Sequence, residues 1–575
     1  MSSTENNFPS IDRNQWESLV ASTLKDDDPQ SLNRLDEDGL EIEALYSIKS
    51  LDQRSDTSFP ITRLPVDPMA HMAHGWDICQ PVNAAGPAEE TNRLILDELG
   101  DGVGSIWLED LPTGDLATNL PVMMQDIILS AAGVNLDAGD NTMLHLAGFS
   151  DFAKSRGQRL SELRVFANLD PFSPDAALSF LDHGLNYLAT ADGEDIPLGL
   201  FRANGWGWHN RGMTAVQELA YVLASLTEIM RQGMVNSLDL SDLASLLSAS
   251  VALPADLFEG IAKCRALRRG WGGIVDAFGL DPNLHRLFLQ GAVSVRMFSQ
   301  IDADVNILRT TTALLGGAIG GADQLSAHAH DCLGGTSASG RRLARMQQHL
   351  LIEECGLSRS LDPAGGAGFI EARSNQLADA AWCMFQKMEA DGGAKAACRS
   401  GLFDRLAKKS AGRRHARLAD GNLNLVGVNL QPDRRPIVPS LSRWKSVRRP
   451  AAAIEAIRLS ALQNPPRILL LQRGTDLSSQ LVKLRTLLAI GGVQPVQMRP
   501  IDINEQTIAN SRPNLIILAD SDFEALAAST QGHLKNLQEK GKVMSAKTLL
   551  NAPAPLEVLA NMVNVCLLPY RNGEV

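Results

Sequence analysis

Leu198-Gly-Leu-Phe-Arg-Ala-Asn-Gly-Trp-Gly-Trp-His-Asn-Arg-Gly212, continued by Met-Thr-Ala-Val-Gln217 and on to Gly233, holds one repeat unit of the fold. It opens with a short apolar run, Leu198 to Phe201, of the length of a buried strand. Thr214 and Gln217 have the spacing of a capping box, in which the Thr hydroxyl and the Gln side chain each satisfy a backbone N–H that the first helical turn leaves open. Val216, Leu219, Ala220, Leu223 and Leu226 then recur at helical spacing, and Arg231 with Gly233 supplies a C-terminal end. The unit reads as strand, loop, helix.

The same alternation extends to both sides. Strands are expected at Gly104–Leu108, Leu163–Ala167 and Ser294–Phe298, and helices at Asp256–Arg269, Ser339–Cys355 and Glu371–Glu389. Strands alternating with helices over residues 65–400 predict a parallel α/β fold, with a (β/α)8 TIM barrel as the leading arrangement. Gly316 to Gly321 is glycine-rich but lacks the lysine of a phosphate loop, and a close-packed helix is the better reading.

The flanks differ in charge. Residues 1–60 carry 13 Asp and Glu against 5 Lys and Arg, with helical patterning at Gln15–Leu24 and Leu40–Ser50. Residues 1–64 hold too little apolar surface for a core of their own and are read as an arm that packs on the barrel or on a partner. Residues 401–450 reverse the sign, with 12 Lys and Arg against 3 Asp and Glu. The segment 401–465 is read as a basic linker lying on an acidic surface, which the arm is able to supply. Residues 466–575 form a second, smaller α/β unit, doubly wound and flavodoxin-like. Its expected strands are Arg467–Leu471, Asn514–Leu518 and one near Lys542–Met544, with helices at Ser478–Ala489, Phe523–Gln538 and near Pro555–Met562.

Composition narrows the function classes. The 575 residues exceed what one core serves. The net charge of −13 argues against nucleic acid as a partner. The N-terminus is polar and acidic, unlike a signal peptide, and no apolar stretch reaches membrane-spanning length, so no membrane association and a cytoplasmic location are expected. The seven cysteines (79, 264, 332, 355, 383, 398 and 566) form no C-x-x-C pair and are read as reduced thiols. His71 with His74 and His328 with His330 lack an evident third ligand, so no metal site is assigned.

Several phrases, in order, resemble the acyl-CoA mutase family, the cobalamin-dependent radical isomerases that include methylmalonyl-CoA mutase. They are Gly75–Gln80 with Gly86–Asn92, Asn306–Thr310 with Gly320–Leu325, Gln347–Glu354 with Leu361–Gly366, and Gly392-Gly to Val426-Gly-Val-Asn429. The resemblance implies a barrel that threads coenzyme A and a flavodoxin-like domain that carries cobalamin. In bacterial two-chain members, a large catalytic chain pairs with a similar, inactive small chain.

The family's functional positions are altered here. Its cobalamin loop, D-x-H-x-x-G, supplies an imidazole to cobalt. Here Asp476 fits, but Ser478 stands at the ligand position and Leu481 at the Gly. The S-x-L element falls at Ala519-Asp-Ser521, and the Gly-Gly element near Ser545-Ala-Lys547; both are lost. His533 is read as a surface residue. In the barrel, Y-H-M-Q-E-A-G aligns with Trp206 to Gly212, which puts Trp206 at the Tyr, Gly207 at the His and His209 at the Gln. The Q-S-L-H-T-N stretch places Asp323 at the Gln, Ser326 at the His and His328 at the Asn. A free carboxylate at 323 would repel an anionic substrate.

The resemblance therefore implies a degenerate substrate pocket at Trp206, Gly207, His209, Asp323, Ser326 and His328, and no catalytic or cofactor residue in this chain. It implies the small-subunit role in a heterodimer that interconverts (R)-methylmalonyl-CoA and succinyl-CoA. Adenosylcobalamin would be held by the homologous large catalytic subunit, through which the acyl-CoA substrate would also be met. The alternatives are a divergent acyl-CoA isomerase and a regulatory barrel that binds a coenzyme A-like ligand.

Overall fold

Eight parallel strands close into a barrel: β3 (Asp77–Asn83), β4 (Ser105–Glu109), β5 (Gly133–Leu136), β6 (Val165–Leu169), β7 (Gly199–Asn204), β8 (Leu247–Leu253), β9 (Phe288–Val293) and β10 (Gln324–Ser326). Their order around the ring is β10-β3-β4-β5-β6-β7-β8-β9. The ring closes where Leu325 of β10 pairs with Ile78 of β3 on one side and with Gly291 of β9 on the other. This computed structural model describes residues 12–24, 28–46 and 75–562, apart from short internal stretches, of which the longest are 472–478, 499–504 and 519–530. Among the described residues no helix is long and apolar enough to cross a membrane.

The strand pattern follows from what each face meets. Outward residues such as Ile106, Leu108, Val134 and Leu289 are buried under helices. The opening unit behaves as its sequence predicts: the strand is Gly199–Asn204, and both halves of the Thr214–Gln217 capping box form at the start of the Ala215–Val235 helix. That helix packs with the Leu257–Ala277 and Gly368–Ala390 helices. Gly316 lies inside the Val305–Ile319 helix, where a methyl group would come within 3.1 Å of the Leu257 carbonyl. Close packing, rather than phosphate binding, accounts for that glycine.

Three expected elements differ. The strand placed at Ser294–Phe298 lies six residues earlier, at Phe288–Val293, and Val295–Met297 forms a short 3-10 turn. The true strand carries Gln290 and Gly291, which interrupt the apolar run; Gln290 is polar because it faces the barrel lumen. The helix expected from Leu40 is instead a hairpin, β1 (Arg34–Leu35) against β2 (Glu41–Ile42), with Gly39 at φ +80° in its turn; residues 47–50 lie outside the described residues. The helix expected over Ser339–Cys355 is α-helical only to His349, with a π-turn over Leu350–Glu354.

The basic segment begins and ends in helices. Leu402–Ala419 and Ala451–Gln463 are helices, and Phe403, Ala407, Ala411 and Leu418 of the first are buried. Among the described residues the second domain holds four parallel strands, β11 (Ile468–Leu471), β12 (Val496–Met498), β13 (Leu515–Leu518) and β14 (Val543–Ser545). They form one sheet in the order β12-β11-β13-β14. This is a doubly wound arrangement in which the chain starts inside the sheet and reverses direction after the second strand. Its core, including Leu470, Leu484 and Ile517, is continuous with Leu418, Ile454 and Ile457 of the two preceding helices. The Phe523–Gln538 expectation falls largely outside the described residues.

Candidate functional site

Parallel barrels carry their chemistry at the C-terminal ends of the strands. Here that end begins with Glu109, the last residue of β4, with Val293 closing β9 and Ser326 closing β10. Aromatic rings converge over it. Trp107 of β4 meets Trp206 edge to face at 5.3 Å between centroids. His328, two residues past β10, lies 5.7 Å from Trp107 and 5.9 Å from Trp206. Trp444, from the basic segment, covers His328 at 5.1 Å with its plane perpendicular.

Several polar edges of this cluster are tied to their surroundings. The Trp206 indole N–H donates to the Val293 carbonyl at 3.0 Å, and the Trp444 indole N–H to the Cys332 carbonyl at 2.8 Å. His328 Nε2 lies 2.9 Å from Glu109 Oε1. Arg443 pairs with Glu109 at 2.5 Å and with Asp110 at 3.3 Å, while its guanidinium lies 4.7 Å from the Trp444 ring centre. Burial alone would push the Glu109 carboxyl up; His328 and Arg443 outweigh it and hold the group below its ordinary value.

Beneath the rings, the lumen is filled by hydrogen-bonded side chains. Arg202 of β7 reaches two strands in each direction, donating to Gln290 of β9 and Asn135 of β5, both at 3.0 Å. Gln290 donates to Gln324 at 2.9 Å, and Gln324 to Asp77 at 2.9 Å. Asn135 approaches Cys79 Sγ at 3.5 Å. Arg202, Gln290, Gln324, Asn135 and Cys79 are all at most 4% exposed. These bonds cross the space through which a ligand would have to thread. Burial lowers Arg202 to about 10, still cationic at neutral pH.

The six positions singled out in sequence separate into three groups. Trp206, Ser326 and His328 belong to the mouth: Ser326 is in register with Cys79 and Ala292, which pack with Trp107 directly below Trp206. Gly207 lies in the short Gly205–Asn210 helix that follows β7, its N–H donating to Asn204 Oδ1 at 3.0 Å. A side chain there would start 3.2 Å from the Asn204 amide. His209 and Asp323 face elsewhere. His209 is 1% exposed, with Nδ1 2.9 Å from Glu218 and Nε2 3.0 Å from the Ser294 hydroxyl. Glu218 in turn binds Lys263 at 2.7 Å. Burial, reinforced by Arg296, Lys263 and Arg414, pushes the His209 ring well below its ordinary value, so it is neutral.

Asp323 precedes β10 at the opposite, N-terminal end of the barrel. It accepts from Arg268 at 2.8 Å and from the Leu289 N–H at 2.7 Å. The repulsion expected of a free carboxylate therefore does not arise: the charge is neutralised and turned away from the mouth.

Trp107, Glu109, Arg443 and Trp444 were not singled out in sequence as site residues. The available signals were a tryptophan in a basic, proline-containing segment and a glutamate at the end of an apolar strand. Ser478, Asp476, Ala519–Ser521, His533, His71 and His74 lie outside the described residues. Among the described residues no group of three or more His, Cys, Asp or Glu is arranged to hold a metal ion.

Comparison with known proteins places this geometry among relatives. A family model described as Methylmalonyl-CoA mutase matches residues 199–458. The chain is 30% identical over 554 residues to the probable methylmalonyl-CoA mutase small subunit of Mycobacterium tuberculosis, covering 89% of this chain and 88% of that one. It is 30% identical over 540 residues to the methylmalonyl-CoA mutase small subunit of Streptomyces virginiae, covering 88% and 86%. It is 25% identical over 455 residues to the mitochondrial methylmalonyl-CoA mutase of Homo sapiens, covering 72% of this chain and 60% of that one.

Proposed function

The chain belongs to the methylmalonyl-CoA mutase family, and from that premise we propose that it is the non-catalytic, structural subunit of a two-chain mutase that interconverts (R)-methylmalonyl-CoA and succinyl-CoA. The carrying observation is the closed barrel. Trp107, Trp206 and His328 fill the mouth, Trp444 covers them, and Arg202 spans the lumen below. An acyl-CoA entering here would have to displace buried rings and break hydrogen bonds of a charged, desolvated group, which costs more than neutral bonds do.

The residues of the second domain do not fit adenosylcobalamin. The lower-ligand position is Ser478, whose hydroxyl is a poor substitute for imidazole. Where the family has paired glycines, β14 runs straight into the Ala546–Leu550 helix, and the Ala546 side chain is buried in the domain core with Leu549 and Leu556. The cofactor and substrate are accordingly assigned to a longer, homologous partner chain.

Co-expression with the cognate large chain tests the reading. The expected result is a complex of one copy of each, with mutase activity requiring the large chain and none from this chain alone. Turnover by this chain alone, or a large chain equally stable and active without it, would overturn the proposal.

A further inference from the structure

A small, half-open cleft lies between the Leu402–Ala419 helix and the Arg448–Pro450 segment, lined by Ala411, Arg414, His415, Arg448, Arg449 and Pro450. Three arginines and a histidine converge on one small space, and none of the described residues that line it is acidic. The Leu402–Ala419 helix supplies one wall. The other is the Arg448–Pro450 segment, which leads into the Ala451–Gln463 helix, and that helix has no acidic residue in its first turn. Its N-terminal end therefore adds the positive end of a helix dipole to the four side chains.

Arg414 carries the argument furthest. It is 7% exposed. Its Nε pairs with Glu37 at 2.7 Å and its Nη2 donates to the Gly212 carbonyl, while its buried Nη1 has no hydrogen-bond partner among the described residues. Arg449, by contrast, is matched by Glu455 through two bonds of 2.7 and 2.8 Å. Burial, and then the neighbouring Arg296, bring Arg414 down to about 9 against the pull of Glu37. Glu37 balances the charge from the Nε side, but the buried donor left open at Nη1 is costly unless something accepts from it.

We propose that this cleft binds a phosphate dianion, either free or as the monoester end of a nucleotide, through Arg414, His415 and Arg448 at the start of the Ala451–Gln463 helix. Guanidinium groups match phosphate oxygens in geometry as well as charge. The site is separate from the barrel mouth and does not depend on the subunit reading. A bound phosphate would tie together the arm, through Glu37 and Arg414, the barrel, and the helix leading into the second domain.

Thermal melts and calorimetry on the full chain test this, with inorganic phosphate, 5′-AMP, adenosine, and sodium chloride at matched ionic strength. Phosphate or AMP should raise the melting temperature saturably, while adenosine and chloride should not. Equal responses to phosphate and AMP assign the free ion; a tighter AMP response assigns the nucleotide. Arg448→Ala should weaken the apparent affinity about tenfold, the loss of one charge-assisted contact. Arg414→Met should abolish binding; should that variant fail to fold, His415→Ala and Arg448→Ala together provide the reading. No saturable shift beyond the salt control, or a shift unchanged in Arg448→Ala and His415→Ala, would overturn the proposal.

Discussion

The Trp206 indole lies nearly parallel to the His328 imidazole, with ring planes 17° apart and centroids 5.9 Å apart. Both occupy positions where the family resemblance places substrate contacts, and here they contact each other. Trp107 and Trp444 meet His328 from two further directions. Side chains that would have to remain separate to admit a ligand instead complete one another's packing, and Glu109 with Arg443 supplies the polar rim.

Trp444 is the keystone of that closure, since it is 5% exposed and comes from a segment outside the barrel. Trp444→Ala is expected to cost about 3 to 5 kcal/mol, the range for truncating a buried aromatic. Denaturant unfolding measures it. A cost within about 0.5 kcal/mol, the range of an ordinary surface substitution, would show that the mouth does not depend on this ring.

Glu218 and Lys263 form a fully buried pair that also orients His209. Lys263→Met alone leaves the carboxylate without its cation and is expected to cost about 3 to 5 kcal/mol. Adding Glu218→Gln should recover part of that loss, giving a coupling of about 1 kcal/mol or more in a double-mutant cycle. Additive effects would mean that the two charges do not stabilise each other.

How much of this was legible in sequence depends on contact range. The Thr214–Gln217 box and the periodicity behind it are local, and the helix forms where they place it. The β9 strand was misplaced because Gln290 and Gly291 answer to the lumen and to neighbouring strands, which a local apolar pattern does not encode. The substitutions at Trp206, Gly207 and His328 were visible as departures from the family pattern. That two of them join Trp444 in one cluster was not, because the partner lies over a hundred residues away and its segment reads as a solvated connector. Asp323 misled for the same reason: its meaning depends on Arg268, a helix away.

Two buried groups pull acid stability in opposite directions. Asp170 accepts from Tyr221 at 2.7 Å and from two backbone N–H groups, yet burial raises it to about 6. Between about 4 and 6 the folded state then binds more protons than the unfolded one, so this group adds stability as pH falls through that window. His209 is depressed, so below about 6.5 the unfolded state binds the extra proton and stability is lost as pH falls. Against the parent protein, Asp170→Asn should steepen the loss of stability on acidification and His209→Gln should make it shallower. Thermal melts from pH 7 to pH 4.5 separate them; parallel curves for all three proteins would refute both assignments.

The acidic arm is held by the barrel through its hairpin turn. Asp36 pairs with Arg373, Glu37 pairs with Arg414 at 2.7 Å, and Asp38 accepts from the Val216 N–H at 3.2 Å, at the start of the Ala215–Val235 helix. The receiving arginines are at least nine-tenths buried, so their carboxylate partners are not exchangeable for water at low cost. Asp36→Ala is expected to destabilise the protein by about 3 kcal/mol, as removal of one member of a buried pair does, and more than Arg13→Ala, whose pairs with Glu17 and Glu43 are exposed. Limited proteolysis gives a second readout, because an undocked hairpin opens to cleavage without global unfolding. The expected pattern is faster cleavage between residues 24 and 46 in Asp36→Ala while the barrel fragment persists. Unchanged cleavage and stability would place the arm's docking elsewhere than at this turn.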